Sequence, residues 1–160
     1  MHVIKLKLDY AHGKRLISNM GMNIRDELAK IDLFSCLTDE QLDLMARGSR
    51  RGTFLEGRNL ITQDEEDGDV LLITSGEADV IKHSKGLDSK NLATVGSGTI
   101  LGEMSALTEQ PAAADVIAKS YCECVRIPRK VFLEAIKKNM TSMSKLTTTV
   151  VKRFRAMMNG

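Results

Sequence analysis

Two short runs carry residue types from which a ligand pocket can be built: Gly98 with Leu101-Gly102-Glu103-Met104, and Pro111-Ala112-Ala113-Ala114. Glu103, Met104, Ala106 and Leu107 are good helix formers and Pro111 stops them, so Gly102 to Thr108 predicts a single helical turn. A helix start presents unpaired N–H groups and the positive end of the dipole, and small residues let the main chain approach a ligand. The combination suits an anion. Ordinary turn chemistry also produces a glycine–acid pair before a helical turn, and Glu103 there can serve the helix dipole or pair with Arg153. Residue types alone leave these readings open.

The rest of the chain offers little for catalysis. No serine, cysteine or lysine has a recognisable activating partner, and the acids lack a defensible paired spacing, so an enzyme is not expected. Cys36, Cys122 and Cys124, with His2, His12 and His83, form no ligand pattern; buried reduced thiols are expected rather than a metal, in a reducing compartment. Cys122 and Cys124 alternate along a strand and share a face. The run Asp64-Glu65-Glu66-Asp67-Gly68-Asp69 is a solvated acidic turn or, less simply, a divalent-cation loop whose spacing fits no known mechanism.

The elements that must position the pocket change character along the chain. Residues 1–22 read as an extension, with a short strand around Val3, Ile4, Leu6 and Leu8 and a helical turn between Gly13 and Gly21. Asn23 caps a helix carrying Ile24, Leu28, Ile31 and Leu33, and Thr38 with Gln41 forms a capping box for a second helix running toward Gly48. Residues 52–127 break into short strands near 53–54, 60–62, 70–74, 78–82, 92–95, 115–118 and 121–127, separated by turns that include 84–91. Many short strands imply a sandwich or barrel. After Pro128 two helices part near Asn139, completing a domain over 23–160 with C-terminal helices over 128–158. The last helix carries a stripe of Met140, Met143, Leu146, Val150, Phe154 and Met157, which can pack on the barrel or on a partner.

Composition sets outer limits. The chain has 160 residues, 42% apolar and 28% charged, which suits one soluble globular domain with no membrane span and no secretory leader, hence a cytoplasmic place. A net charge of +2 and few aromatics argue against nucleic acid; Lys152, Arg153 and Arg155 read as a solvated helix face.

From Asp32 to Arg155 the chain resembles the cyclic-nucleotide-binding domain family. The resemblance rests on Leu33-Phe34, Leu37, Phe54 to Gly57, Gln63, Ile73 to Gly76, Val80, Gly98, Leu101-Gly102-Glu103-Met104, Pro111, Ala114 and Phe132. It implies a mostly β fold, an eight-stranded jelly-roll-like β-roll with N-terminal helices, a short cassette helix and two C-terminal helices, the last closing over a bound base. It also implies a regulatory domain that senses cyclic AMP, ahead of cyclic GMP, or a related small anion, and requires no cofactor. Carried across, Gly102 gives a main-chain contact, Glu103 accepts from the ribose 2′-hydroxyl, Met104 lies in the first cassette turn, and Ala113 offers its N–H to the phosphate.

The chain departs from that pattern at Ala112 and in the earlier turn, where the family favours glycines and this chain has Asp64-Glu65-Glu66-Asp67-Gly68-Asp69. The arginine that pairs the phosphate in the family is replaced here by Ala112, and losing a charge-assisted bond of roughly 1.5–3 kcal/mol weakens a cyclic nucleotide about tenfold to hundredfold. Asp115 repels a phosphate if it faces the pocket and is harmless if it faces outward. His83, Lys85, Lys90 or Arg153 are the candidate substitute cations, Arg153 also as part of a lid. The alternative is a degenerate member that keeps the fold as a dimerisation or protein-interaction module, a homodimer through the C-terminal helix. Direct DNA binding is not expected, because the sequence stops at Gly160 after that helix.

Overall fold

A computed structural model of the chain describes residues 23–66, 68–86 and 88–159, together with the strands Leu6–Asp9 (β1) and Lys14–Ile17 (β2). β1 and β2 pair antiparallel. A strand therefore occupies 14–17, where the glycine spacing predicts a helical turn: main-chain pairing with β1 outweighs a local glycine signal. Val3 and Ile4 lie outside the described residues.

Eight further strands form two four-stranded antiparallel sheets. The first contains β3 (Arg50–Phe54), β10 (Cys122–Ile127), β5 (Val70–Ser75) and β8 (Ile100–Leu101), in that order. The second contains β4 (Asn59–Ile61), β9 (Asp115–Ala118), β6 (Ala78–His83) and β7 (Ser89–Val95). Leu71, Ile73 and Leu101 from one sheet meet Leu60, Ala78, Val116 and Ala118 from the other, filling the interior of a β-roll. Cys122 and Cys124 point into the same interior, where burial pushes Cys124 up to about 11 and raises Cys122 as well. Both are neutral thiols. Cys36 differs from the expectation of a buried thiol: it is exposed.

The strand pattern explains why the first sheet is covered on both faces. Along β5, Leu71 and Ile73 face the roll while Val70 and Leu72 join Val125 and Ile127 of β10 against the helices. Helix α2 (Asp39–Gly48) opens with the expected capping box, Gln41 N–H donating to Thr38 Oγ1 and Thr38 N–H to Gln41 Oε1. Helix α1 (Ile24–Ala29), capped by Asn23, is shorter than its apolar periodicity predicts. The chain turns extended at Ile31 and re-enters a 3-10 turn at Asp32–Phe34, which buries Phe34 edge-on against Phe132 with ring centroids 6.2 Å apart. Burial of one large ring outweighs two more helical residues.

Two other differences concern the roll's edges. β7 begins at Ser89, inside the predicted 84–91 turn, because Ser89 and Lys90 continue the main-chain ladder with His83 and Lys82 on an exposed edge where side-chain propensity counts little. β8 is too short to show a period, yet its two residues pair with β5 and serve both cores, Ile100 toward the helices and Leu101 inward.

Helix α4 (Arg129–Lys137) and helix α5 (Met140–Met158) close the domain, separated at Asn139, whose side chain accepts from Ser142 N–H. The predicted stripe on α5 divides. Leu146 and Val150 are buried, whereas Met140 and Phe154 are exposed, the latter at 55%. Leu146 and Val150 join the core and Met143 packs against it, since α4 and the 3-10 turn accept one side of the helix. No described helix is long and apolar enough to cross a membrane.

Candidate functional site

The segment between β8 and β9 folds back on itself around helix α3 (Glu103–Thr108). Gly102 caps it with φ +82, and a Cβ there would lie 2.9 Å from the carbonyl oxygen of Asp69. Only glycine meets both demands, the left-handed backbone and the close approach. The far end of α3 is tied down by a polar chain: Ser105 Oγ donates to the Gln110 carbonyl and accepts from Arg129 Nη2 at 2.8 Å. This returns Pro111 to Ala114 alongside Gly102.

Between this segment, the inner faces of β6 and β7, and α5 lies a cavity of about 220 Å³. Val80, Leu92 and Val95 line it from the sheet, Gly102 to Ser105 and Ala112 to Ala114 from the cassette, and Arg153, Ala156 and Met157 from α5. Glu103 and Arg153 are the charged residues lining it among the described residues. Glu103 is 1% exposed, and its Oε1 accepts from Arg153 Nη1, which also donates to the Ile100 carbonyl at 2.8 Å. Burial raises the Glu103 pKa, and the Arg153 charge pulls against that rise without cancelling it. The pair thus fastens the last helix to the cassette.

Ala112 is engaged through its main chain. Its N–H donates to the Glu65 carbonyl at 2.9 Å, and its carbonyl accepts from Asp64 N–H at 2.8 Å, so the acidic turn is clasped to the cassette. Asp115 points away from the cavity, the strand period placing Val116 inward instead. Its Oδ1 accepts from Gln63 N–H at 2.6 Å and its Oδ2 stands 2.8 Å from His83 Nε2, while His83 Nδ1 lies 2.7 Å from Ser89 Oγ. With Gln63 Oε1 accepting from His83 N–H at 2.8 Å, the group stitches the β4 end to β6, β7 and β9.

The family model described as "Cyclic nucleotide-binding domain" matches residues 51–139, more than half of the chain. The chain belongs to the cyclic nucleotide-binding domain family. A cGMP-dependent protein kinase of Plasmodium berghei is 28% identical over 134 residues, covering 83% of this chain but only 14% of the kinase. The regulatory domain of Toxoplasma gondii PKA, solved with cAMP, superposes with a TM-score of 0.71 at 22% identity over 80% of this chain and 48% of that one. The regulatory subunit of a cAMP-independent protein kinase A from Trypanosoma cruzi, bound to guanosine, gives 0.66 at 22% identity over 74% and 44%. At such identities the superpositions show the shared β-roll fold.

In this cyclic nucleotide-binding domain, Gly102, Glu103, Met104, Ala112 and Ala113, singled out by sequence, all line one cavity, and Arg153 reaches it from fifty residues along the chain. His83, Lys85 and Lys90 do not line it, and His83 is engaged by Asp115. Sequence reasoning missed Val80, Leu92, Val95 and Ala156 as cavity residues. The strand alternation of β6 and β7 carried a signal for Val80 and Val95; Leu92 falls out of that alternation at a register shift, and for Ala156 nothing short of the docking of α5 gave a signal. The main-chain clasp between Ala112 and the acidic turn also has no side-chain signature.

Proposed function

We propose that this domain is a non-enzymatic regulatory sensor, in which a ribose-bearing ligand of the cyclic nucleotide class enters the cavity, engages Glu103 through its ribose, and is reported by movement of α5. One observation carries the reading: the buried carboxylate at the cavity wall is held by an arginine from the helix that covers the cavity. A ligand hydroxyl competing for Glu103 loosens or resets that contact, so occupancy and helix position are linked. Gly102 and Met104 bound the ribose side, and Ala113, exposed beside them, offers its N–H. The cAMP complex of the Toxoplasma relative supports cyclic AMP and the cGMP-dependent kinase of Plasmodium supports cyclic GMP, while the guanosine complex of the Trypanosoma relative supports admitting nucleosides to the ligand class.

Calorimetry on the full chain with cyclic AMP, cyclic GMP, adenosine and guanosine, paired with amide exchange of α5, tests this. At least one ligand is expected to bind and to change exchange in α5, with Glu103→Ala weakening it by about tenfold, the loss of one hydrogen bond to a charged group. Silence from all four at millimolar concentration overturns the reading.

A second reading, a self-associating module, is favoured by Val151, Phe154 and Met158, which leave an exposed apolar strip on α5 at helical spacing. A homodimer in sedimentation that Phe154→Asp dissociates and no ligand perturbs supports it. The two readings are compatible when ligand shifts the dimer equilibrium.

A further inference from the structure

Taking the sensor reading as its basis, we infer that the ligand this cavity prefers is an uncharged ribonucleoside rather than its cyclic phosphate. The cavity's charge is already balanced: the Glu103 carboxylate and the Arg153 guanidinium line it and engage each other. A phosphate brought in beside them is a third, uncompensated charge against a largely apolar wall, where an unpaired ion is disfavoured more than a neutral hydroxyl.

The wall that would face the phosphate adds to the effect. Ala112 contributes a methyl group, and its N–H is occupied by the Glu65 carbonyl. The same two main-chain bonds hold the turn carrying Asp64, Glu65 and Glu66 against this wall, so the nearest fixed side-chain charges on that loop are negative. Their charge opposes an anion brought to this wall.

Two arginines nearby do not reverse this balance. Arg126 and Arg129 line a separate recess of about 50 Å³, which shares Gly102, Ser105 and Ala112 with the main cavity as a dividing wall. Arg126 Nε stands 3.3 Å from Asp69 Oδ2, and Arg129 donates to Ser105 Oγ. Neither guanidinium lines the main cavity.

The lining points the same way. Leu92, Val95, Met104 and Met157 offer apolar and polarisable surface to a base, while Glu103 offers an acceptor to a ribose hydroxyl. A nucleoside uses both and demands nothing of Ala112.

The decisive experiment is calorimetry on the full chain with adenosine and guanosine, each against its own 3′,5′-cyclic phosphate. The expected result is a nucleoside bound at least about tenfold more tightly than the matching cyclic nucleotide, the factor set by a missing charge-assisted bond. Ala112→Arg, checked for folding by circular dichroism, is expected to raise cyclic nucleotide affinity by about tenfold to hundredfold and to move the nucleoside by less than about threefold. A cyclic nucleotide that binds the unaltered chain as tightly as its nucleoside overturns this inference and leaves the sensor reading standing. Failure of all four ligands to bind overturns both.

Discussion

The two ends of the cassette segment differ in how the fold uses them. At the Gly102–Glu103 end, a left-handed glycine and a buried ion pair bring charged chemistry into the cavity. At the Ala112–Asp115 end the main chain of Ala112 is held by Glu65 and Asp64 and the Asp115 carboxylate accepts from Gln63 N–H, but no side-chain charge enters the cavity. Asp115 spends its carboxylate on the outside of the sheet. A cassette can therefore keep its shape at both ends while offering recognition chemistry at one. Shape is enforced by main-chain bonds and packing, which tolerate alanine, whereas charge recognition depends on single side chains.

The comparison can be broken at its most constrained point. Gly102→Ala demands a left-handed alanine and drives a methyl into the Asp69 carbonyl, so urea unfolding should show a loss of about 2–4 kcal/mol. Gly98, with φ +89 but open space around its missing Cβ, serves as the control: alanine there should cost about 1–2 kcal/mol, backbone strain alone. Equal losses at the two glycines would remove the close approach from the account.

Asp115→Ala sharpens the other end. It strips the acceptor from Gln63 N–H and the partner from His83, for an expected loss of about 1–2 kcal/mol in the same assay. Because the carboxylate points out of the cavity, affinity for any cavity ligand should shift by less than about threefold. A gain of tenfold or more for a cyclic phosphate would mean that Asp115 acts on the pocket after all.

The smallest effect is a pH slope belonging to Glu103. Burial raises its pKa in the folded protein, so the native state holds this proton at pH values where the unfolded chain has released it. The stability it contributes is present below the ordinary carboxylate pKa and is lost as pH rises through the higher, folded value. Wild type should therefore lose ground to Glu103→Gln as the pH rises above about 4, by no more than about 1.4 kcal/mol per pH unit. Urea melts of both proteins across that range give the difference directly, and a flat or rising gap contradicts the sign.

Much of this architecture was readable from residue patterns. The capping box of α2, the Asn23 and Asn139 boundaries, the helical turn after Gly102 and the shared face of Cys122 and Cys124 all follow from local geometry that sequence encodes directly. Local signals failed where distant main chain decided the outcome. Ser89 to Asn91 are strand because β6 supplies the ladder, 14–17 is strand because β1 does, and Ile31 breaks its helix because Phe34 has a place against Phe132.

By itself, then, the sequence determined most of the order of elements, the resemblance to the family, and the absence of a charged side chain at Ala112, because each is a property of residue type and spacing. Tertiary structure alone decided that Asp115 faces outward, that Arg153 closes on Glu103 across the cavity, and that the acidic turn is clasped to Ala112. Those outcomes depend on which of several chemically acceptable partners the packed sheets and helices bring within reach. That selection is made by the burial of the whole core, not by any one residue.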